Sequence, residues 1–500
     1  MHKKDFKFLS IVAMALIFYS CGKTIVYFSP YEESRIRNEK KIVVETKKGA
    51  TLELSQPEIK DQILSGYTKD KTKKDLPFSS IRSVRIEKAD KGMMIVYSGV
   101  GLVLAWLAIG SATAPEPPPT ECCPFIYSFD GENFHLDAEP YGAAICEGLK
   151  RTEWSELEHI EEVNGRYIIS VANELDETQY TDEITLVVVD HPHDVAVVPD
   201  TQGRVHTIKH PVRARRVVNS RNEDVTRFFT EKDGIFWQGH VPKIGCSDNL
   251  DLREDLIFEF PKPEYAKEAK LVVNACTSQW GAQMGKRFLS LYGNQVSDWY
   301  TEVNKHGPAF YQVLSWYQKQ ELYLLQIRVE TTAGWKSMGT IFGSGPFASK
   351  DKAYILDICD IPGETLRIRL TPPIDFWRID SLAMDYTEDI PVEIHEIGAC
   401  RAETNLGQDV LHKLYAADSV YHAMPDIGDS FEMTFLSPPA CGNSDRTVIL
   451  KACGYYDIHL PIMNSAPRKD VLDQIYGGSD FTLRFAREEF LKWEAEQHEN

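Results

Sequence analysis

The sequence predicts a mainly β protein that consists of a small β-barrel, an apolar membrane segment and an antiparallel β-sandwich with minor helices. Short stretches of alternating apolar and polar residues recur between turn-forming residues, which is typical of antiparallel strands. Residues 93–114 are uncharged and mostly apolar, and a stretch of this length can span a bilayer as a helix. The 500 residues carry a net charge of −19, so the chain lacks the basic character expected of a nucleic-acid-binding protein.

The N-terminus, residues 1–21, has the arrangement of a bacterial export signal. A basic start, MHKKDFK, precedes the apolar run FLSIVAMALIFYS, and Cys21 follows. This order is typical of a secretory signal peptide. The sequence Phe18-Tyr19-Ser20-Cys21 resembles the lipobox of bacterial lipoproteins, in which the cysteine carries a diacylglycerol and becomes the mature N-terminus. The resemblance implies lipidation at Cys21 and a membrane anchor; an ordinary signal peptide or an uncleaved anchor helix is the alternative.

Residues 22–92 predict a small β-barrel of the SH3 or Sm type. The apolar run Ile42–Val44 and the alternating residues Leu52 and Leu54 flank a Lys48-Gly49 turn, which is a hairpin pattern. A later strand is predicted over Ile81–Ile86. Sm-like barrels can bind RNA, but this one follows an export signal. We therefore expect its basic face to be solvated or to meet anionic lipid.

The apolar stretch at residues 93–114 ends at a proline-rich stalk, residues 115–122. Proline cannot continue a helix and favours an extended spacer. We expect the stretch to enter a membrane, and a buried glycine-rich hairpin is the alternative. The positive-inside rule would place Lys88 and Lys91, which precede the stretch, in the cytoplasm. That orientation conflicts with the export signal.

Residues 123–210 predict a block of β-hairpins, because Asp130-Gly131 and Asn164-Gly165 each lie beside alternating apolar residues. The block resembles a segment of uncharacterised bacterial membrane lipoproteins and of some propeller- or tetratricopeptide-linked exported proteins. The residues that carry the resemblance are Cys123-Pro124-Phe125, Tyr127, Asp130-Gly131, Phe134, Glu139-Pro140-Tyr141-Gly142 and Glu177-Thr178-Gln179-Tyr180. No activity can be transferred from these proteins, so the resemblance implies membrane association and β structure alone.

Residues 211–400 predict an antiparallel β-sandwich with a helical patch from Gln283 to Gln318. In the stretch Leu366–Leu370, the leucine and isoleucine side chains would face one side of a strand, and Arg367 and Arg369 the other.

The run from residue 270 to residue 397 looks like the jelly-roll domains of the galactose-binding type, through LRIRL and FWRIDSLAMDY. Such domains commonly bind sugars at loops, with aromatic rings stacked on the sugar. The resemblance therefore makes four tryptophans candidate ligand-binding residues: Trp280, Trp299, Trp335 and Trp377. The alternative is that they belong to the core, as buried tryptophans usually do.

The sequence contains no catalytic motif that we can identify, and we expect no cofactor and no metal site. One cluster has metal-like composition, but we interpret it as polar residues at a strand end: His191-Pro192-His193-Asp194, His206 and His210. An acidic loop lacks the spacing of a known calcium loop: Asp248, Asp251, Glu254 and Asp255. The segment Gly343-Ser344-Gly345 lacks the G-x-S-x-G pattern and strand–helix context of a nucleophile elbow.

Residues 401–500 predict closing β-strands and a C-terminal helix. Strands at Phe431–Phe435 and Val448–Ala452 would complete a sheet with the block around Cys123. The last twenty residues carry charges with an apolar side, which favours a helix. Nine cysteines remain besides Cys21, and we expect some of them to pair in an oxidising compartment.

Three functions are compatible with these patterns. The first is a non-enzymatic, membrane-anchored lipoprotein of the bacterial cell envelope, at the outer membrane or on the periplasmic face. It would act in protein interaction or envelope assembly, with membrane lipid and other envelope proteins as partners and without nucleic acid. The alternative is a surface carbohydrate-binding lipoprotein that holds glycans with its jelly-roll loops. A hydrolase with paired carboxylates is a third hypothesis, which sequence spacing cannot reveal.

Overall fold

The computed structural model describes residues 23–28, 40–46, 51–60, 63–69, 71–77, 80–89, 124–239, 252–440, 442, 444–461, 464–477 and 480–499. The chain divides into two compact units, one of residues 1–116 with 233–235 and one of residues 117–232 with 236–500. Strands predominate in both units, so the prediction of a mainly β protein is confirmed. The predicted signal (1–21), apolar segment (93–114) and stalk (115–122) lie outside the described residues.

The described residues of the first unit form six antiparallel strands: β1 Lys23–Phe28, β2 Lys41–Thr46, β3 Thr51–Lys60, β4 Ile63–Tyr67, β5 Lys73–Pro77 and β6 Ile81–Ala89. They form one sheet in the order β1-β6-β2-β3-β4-β5. The predicted hairpin is confirmed, because β2 pairs with β3 and places Ile42 opposite Leu54. Alternate side chains of a strand share a face, and both Ile42 and Val44 are therefore buried in the small core of this sheet.

The second unit contains the remaining strands: β7 Phe125–Phe129, β8 Phe134–Ala138, β9 Arg151–Glu156, β10 Arg166–Ala172, β11 Glu177–His191, β12 Ala196–Pro199, β13 Val205–Ile208, β14 Val212–Arg213, β15 Arg216–Val218, β16 Leu256–Pro261, β17 Glu268–Thr277, β18 Leu324–Thr331, β19 Gly334–Phe342, β20 Lys350–Asp357, β21 Thr365–Leu370, β22 Trp377–Asp385, β23 Glu393–Thr404, β24 His422–Met424, β25 Ser430–Leu436 and β26 Asp445–Ile458. The helices of this unit are α1 Gln279–Ser290, α2 Val296–Asn304, α3 Pro308–Gln320, α4 Lys469–Tyr476 and α5 Phe481–Glu499. Short 3-10 turns lie at Glu147–Leu149, Thr226–Phe228, Gly293–Gln295 and Leu411–Lys413.

The largest sheet has the order β8-β7-β10-β25-β23-β11-β26-β9, with β24 also paired to β11. Its two edge strands, β8 and β9, approach each other, so the sheet nearly closes into a barrel. The predicted Asp130-Gly131 hairpin is confirmed: β7 pairs with β8, and the Asp130 amide donates to the carbonyl of Asn133 at 3.0 Å. Gly131 has a φ of 96°, which glycine adopts without the steric cost that other residues incur. The prediction that the C-terminal strands complete this sheet is also confirmed.

Two smaller sheets, β14-β22-β17-β20 and β15-β16-β21-β18-β19, supply side chains to one hydrophobic core. The alternation predicted for β21 is confirmed: Leu366, Ile368 and Leu370 are fully buried, whereas Arg367 and Arg369 lie on the opposite, partly exposed face. A separate pair of strands, β12 and β13, forms a short hairpin.

The predicted helical patch is confirmed by α1, α2 and α3. Ser278 caps α1 by accepting a hydrogen bond from the Gly281 amide at 3.0 Å, and Pro308 occupies the first turn of α3, where its missing N–H costs nothing. The C-terminal helix is confirmed as α5. Among the helices of the described residues, none combines the length and the apolar character needed to cross a bilayer.

The boundaries expected near residues 210 and 400 both fall inside the second unit. Strand β23 runs across residue 400 and pairs with β11 from the predicted hairpin block. The described cysteines carry free thiols: Cys146, Cys276, Cys359, Cys400 and Cys453. The other positions at which we expected pairing lie outside the described residues: Cys122, Cys123, Cys246 and Cys441.

Candidate functional site

Three of the four candidate tryptophans belong to the core. Trp280, Trp299 and Trp377 are 2%, 3% and 0% exposed. The Trp280 ring packs against two aromatic residues of α5, Phe490 and Trp493. The Trp377 indole donates to the Glu321 carbonyl at 2.9 Å. Protein atoms surround these three rings, so none of them offers a face to a ligand from solvent.

Trp335 is different, because it is the second residue of the edge strand β19 and is only half-buried. It follows the tight turn that joins β18 to β19, where Thr331 pairs with Gly334. A cleft of about 530 Å³ opens beside this ring. We call it the Trp335 cleft and define it by its lining residues: Arg253, Lys319, Gln320, Glu321, Arg328, Trp335, Arg369, Thr371 and Asp480.

The strands position this cleft on the polar face of the five-stranded sheet. Residues opposite each other in an antiparallel pair project to the same side. Trp335 lies opposite Glu330 in the β18–β19 pair, and Arg328 lies opposite Arg369 in the β18–β21 pair. The buried residues of the same strands point to the other side and anchor the sheet in the core: Leu325, Ile327, Val329, Leu366, Ile368 and Leu370.

Ion pairs fix the arginines of this face. Arg369 contacts both carboxylate oxygens of Asp255, at 3.0 and 2.7 Å, and Arg367 contacts Glu330 at 2.8 Å. The guanidinium carbons of Arg367 and Arg369 lie 5.8 and 5.7 Å from the centroid of the Trp335 ring. This distance is within the range of a cation–π interaction, so both guanidinium groups are direct neighbours of the indole.

Glu321 links the end of α3 to the cleft. Its backbone adopts φ 54° and ψ 34°, a left-handed conformation that is unfavourable for a residue with a side chain. Its carboxylate is buried, forms an ion pair with Arg328 and accepts the Gln326 amide at 3.0 Å. The strained backbone thus directs a buried carboxylate at Arg328 and holds that guanidinium at the cleft.

Two further cations come from outside the sheet. The Arg253 guanidinium donates to the side-chain oxygen of Gln320 at 3.1 Å and to the carbonyl of Thr371 at 3.4 Å. Lys319, the penultimate residue of α3, is exposed, and its ammonium group has no hydrogen-bond or ion-pair partner among the described residues. The cleft therefore combines one aromatic ring with donors and acceptors of several kinds, which is the composition of a site that recognises a polar ligand.

The histidine cluster does not converge. His191 contacts the Thr447 hydroxyl at 2.9 Å, His193 contacts Asp445 at 2.8 Å, and His206 contacts Asp389 at 2.8 Å. Within the described part of the chain, no three His, Cys, Asp or Glu residues are grouped as a metal site would require. Of the acidic loop, Asp255 pairs with Arg369, whereas Asp248 and Asp251 lie outside the described residues. Ser344 is buried and bonded locally.

The structure also contains a charge cluster that the sequence did not indicate. The Lys350 ammonium donates to Asp137 at 2.8 Å and to Glu158 at 3.2 Å, and Lys232 donates to Glu158 at 2.8 Å. The pKa of Asp137 is lowered below its usual range although burial opposes this, because His159 and Lys350 bond its charged form. Burial raises the pKa of Glu156 to about 7. The carboxylates of Asp137 and Glu158 are paired with lysines, so removal of one partner would leave an unpaired buried charge.

No protein-family model matches the chain. No curated protein matches it either. Among solved structures, the comparison gives "Life in the extremes: atomic structure of Sulfolobus Turreted Icosahedral Virus", at 8% sequence identity and a TM-score of 0.13, covering 70% of this chain and 100% of that chain. A TM-score this low supports no conclusion about fold or function, so the functional argument depends on the geometry of the cleft.

Proposed function

We propose that this protein binds carbohydrate in the Trp335 cleft and has no catalytic role. The observation that carries the proposal is the half-buried indole of Trp335 at the edge of a polar cleft. The C–H face of a sugar ring can pack on an aromatic ring, while its hydroxyls bond to arginine, glutamine and carboxylate groups. Arg253, Gln320 and Asp480 supply such groups in the cleft.

We also propose a lipid anchor for the chain and a fold type for each of two regions. A lipid attached at Cys21, as the lipobox resemblance implies, would hold the protein at the bacterial cell envelope. The first unit would be a barrel of the SH3 or Sm type, and residues 211–400 a jelly-roll-like sandwich. Labelled palmitate tests the anchor: we expect incorporation into the full chain and none into Cys21→Ala. Equal labelling of both proteins would reject Cys21 as the lipidation site.

A glycan array with the full chain tests the binding proposal. We expect Trp335→Ala to weaken binding about 10- to 100-fold, because burying an aromatic side chain contributes about 1.5–3 kcal/mol and 1.4 kcal/mol is tenfold in affinity. Tyr265→Ala is the matched control, since Tyr265 is 80% exposed and lies outside the cleft. Absence of binding to any glycan, or equal binding by both variants, would reject the proposal.

A second candidate function is interaction with another envelope protein. The observation that favours it is the segment between β23 and β25, which exposes four large apolar side chains: Leu406, Tyr415, Val420 and Ile427. Exposed apolar residues are typical of protein contact surfaces where they form a patch, and these four lie in one segment of the chain. Chemical crosslinking in intact cells tests this role. We expect crosslinks from Val420→Cys to an envelope protein and none from Tyr265→Cys. Equal yields from the two variants would reject this role.

A further inference from the structure

The Trp335 cleft borders a second hollow. This hollow has a volume of about 240 Å³ and is lined by Tyr311, Gln312, Ser315, Trp316, Lys319, Gln320, Ile475 and Tyr476. Lys319 and Gln320 line both spaces. The two spaces therefore meet at the last turn of α3. Tyr311 is 66% exposed and stands at the second hollow, so an aromatic side chain is available on each side of the shared residues.

The charge of the Trp335 cleft differs from that of the chain. Four of its lining residues are cationic and two are acidic, whereas the whole chain carries a net charge of −19. Glu321 offsets Arg328, and Asp255 offsets Arg369. Lys319 is exposed and has no partner among the residues that the structure describes. An unpaired cation where two binding spaces meet is well placed to bind an anionic group of a ligand that occupies both.

We propose that the two hollows hold adjacent units of one acidic oligosaccharide, with its anionic group bound at Lys319. This inference rests on the proposed carbohydrate binding and adds two properties to it: the ligand is anionic, and two sugar units occupy the site. The first unit would pack on Trp335 and the second beside Tyr311. Arg253, which is bonded to the Gln320 side chain, would add a second cationic group in the Trp335 cleft, next to the residues that the two hollows share.

The charge and the length can be tested with uronic-acid saccharides of one to four units. Their binding is compared with that of carboxyl-reduced counterparts of the same length. We expect the full chain to prefer the acidic form by at least about tenfold, since a hydrogen bond to a charged group contributes about 1.5–3 kcal/mol. The preference should fall as salt is added. We expect a clear gain in affinity from one unit to two and little gain beyond.

Lys319→Met should abolish the preference for the acidic ligand and leave the affinity for the carboxyl-reduced ligand within about twofold. Lys319→Arg should retain most of the preference because it keeps the charge. Lys305→Met is the matched control, because Lys305 is also exposed, follows α2 and lines neither hollow. Tyr311→Ala should weaken binding of the two-unit ligand and leave the one-unit ligand unchanged. The three substituted side chains are all exposed, so the fold should tolerate these changes.

The outcomes separate the two proposals. Glycan binding that depends on Trp335 but is equal for acidic and reduced ligands overturns this inference and leaves carbohydrate binding standing. An acidic preference that persists in Lys319→Met overturns the assignment to Lys319. Binding of acidic ligands with no effect of Trp335→Ala contradicts the location of both.

Discussion

Replacement of Glu321 by alanine and by glycine provides a sharp test of how the Trp335 cleft is built. Both variants remove the buried carboxylate that pairs with Arg328 and accepts the Gln326 amide. Loss of these charged hydrogen bonds should destabilise the second unit by about 2–4 kcal/mol. The two variants differ in how easily the new residue adopts the left-handed backbone at φ 54°. Alanine adopts this conformation with strain, whereas glycine adopts it without strain.

We therefore expect Glu321→Gly to be about 1 kcal/mol more stable than Glu321→Ala. The order is the reverse of helix propensity, which places glycine about 1 kcal/mol below alanine. Gln312 provides the control, because it lies in the middle of α3 with helical backbone, and there the alanine variant should be the more stable one. Urea unfolding followed by tryptophan fluorescence measures these differences, since eight of the nine tryptophans lie in the second unit.

The result that would refute this reasoning is a Glu321→Gly variant that is equal to or less stable than Glu321→Ala, while the Gln312 pair shows the normal order. The backbone of Glu321 would then not be held in the left-handed region in solution. The placement of its carboxylate against Arg328 would also have to be revised.

Three further predictions concern the second unit. Lys350→Met should destabilise this unit by about 3–5 kcal/mol in urea unfolding, because the fully buried Asp137 carboxylate loses its ammonium partner. The double variant Lys350→Met/Asp137→Asn should recover part of this stability. A double variant no more stable than Lys350→Met would contradict the pairing. The pKa of Glu156 is raised to about 7 in the folded state from an ordinary 4.5, so its contribution to stability should be lost as pH rises from about 4.5 to 7. Glu156→Gln should therefore flatten the pH dependence of the urea midpoint over that window. An unchanged slope in the variant would contradict the raised pKa. Among the described cysteines, two are exposed and three are buried: Cys359 and Cys400, and Cys146, Cys276 and Cys453. Thiol titration of the folded chain with a disulfide reagent should label the exposed pair and leave the buried three unlabelled until urea is added. Equal labelling rates for the two groups would contradict the burial.

Local patterns were sufficient to predict much of the β structure. The alternation around Arg367 and Arg369 identified both faces of β21. The Asp130-Gly131 turn identified the β7–β8 hairpin because its backbone conformation is a property of those residues themselves. Helical spacing of apolar residues likewise predicted the region of α1, α2 and α3.

The cleft could not be predicted in the same way, because its residues come from segments far apart in the sequence. Arg253, Lys319, Trp335 and Asp480 meet only after the strands have paired in one register. For the same reason, no local sequence pattern predicts the ion pair between Asp137 and Lys350, which are separated by 213 residues. Periodicity reports which side of an element is apolar, but not which distant element covers it.

One signal in the sequence separates Trp335 from the other candidate tryptophans. It follows Gly334 at a tight turn and precedes two polar residues, Lys336 and Ser337. Such composition is typical of an edge strand with one solvated face. Trp280 follows Ser278 and Gln279, and Trp377 follows Phe376, so neither comes directly after a glycine turn. The structure buries both.

A crystal structure of the full chain with the tightest-binding oligosaccharide from the array would test the central claim most directly. We expect a sugar ring packed on Trp335, with ligand hydroxyls bonded to residues that line the same cleft. Sugar bound at another surface, with the Trp335 cleft empty in the same crystal, would contradict it.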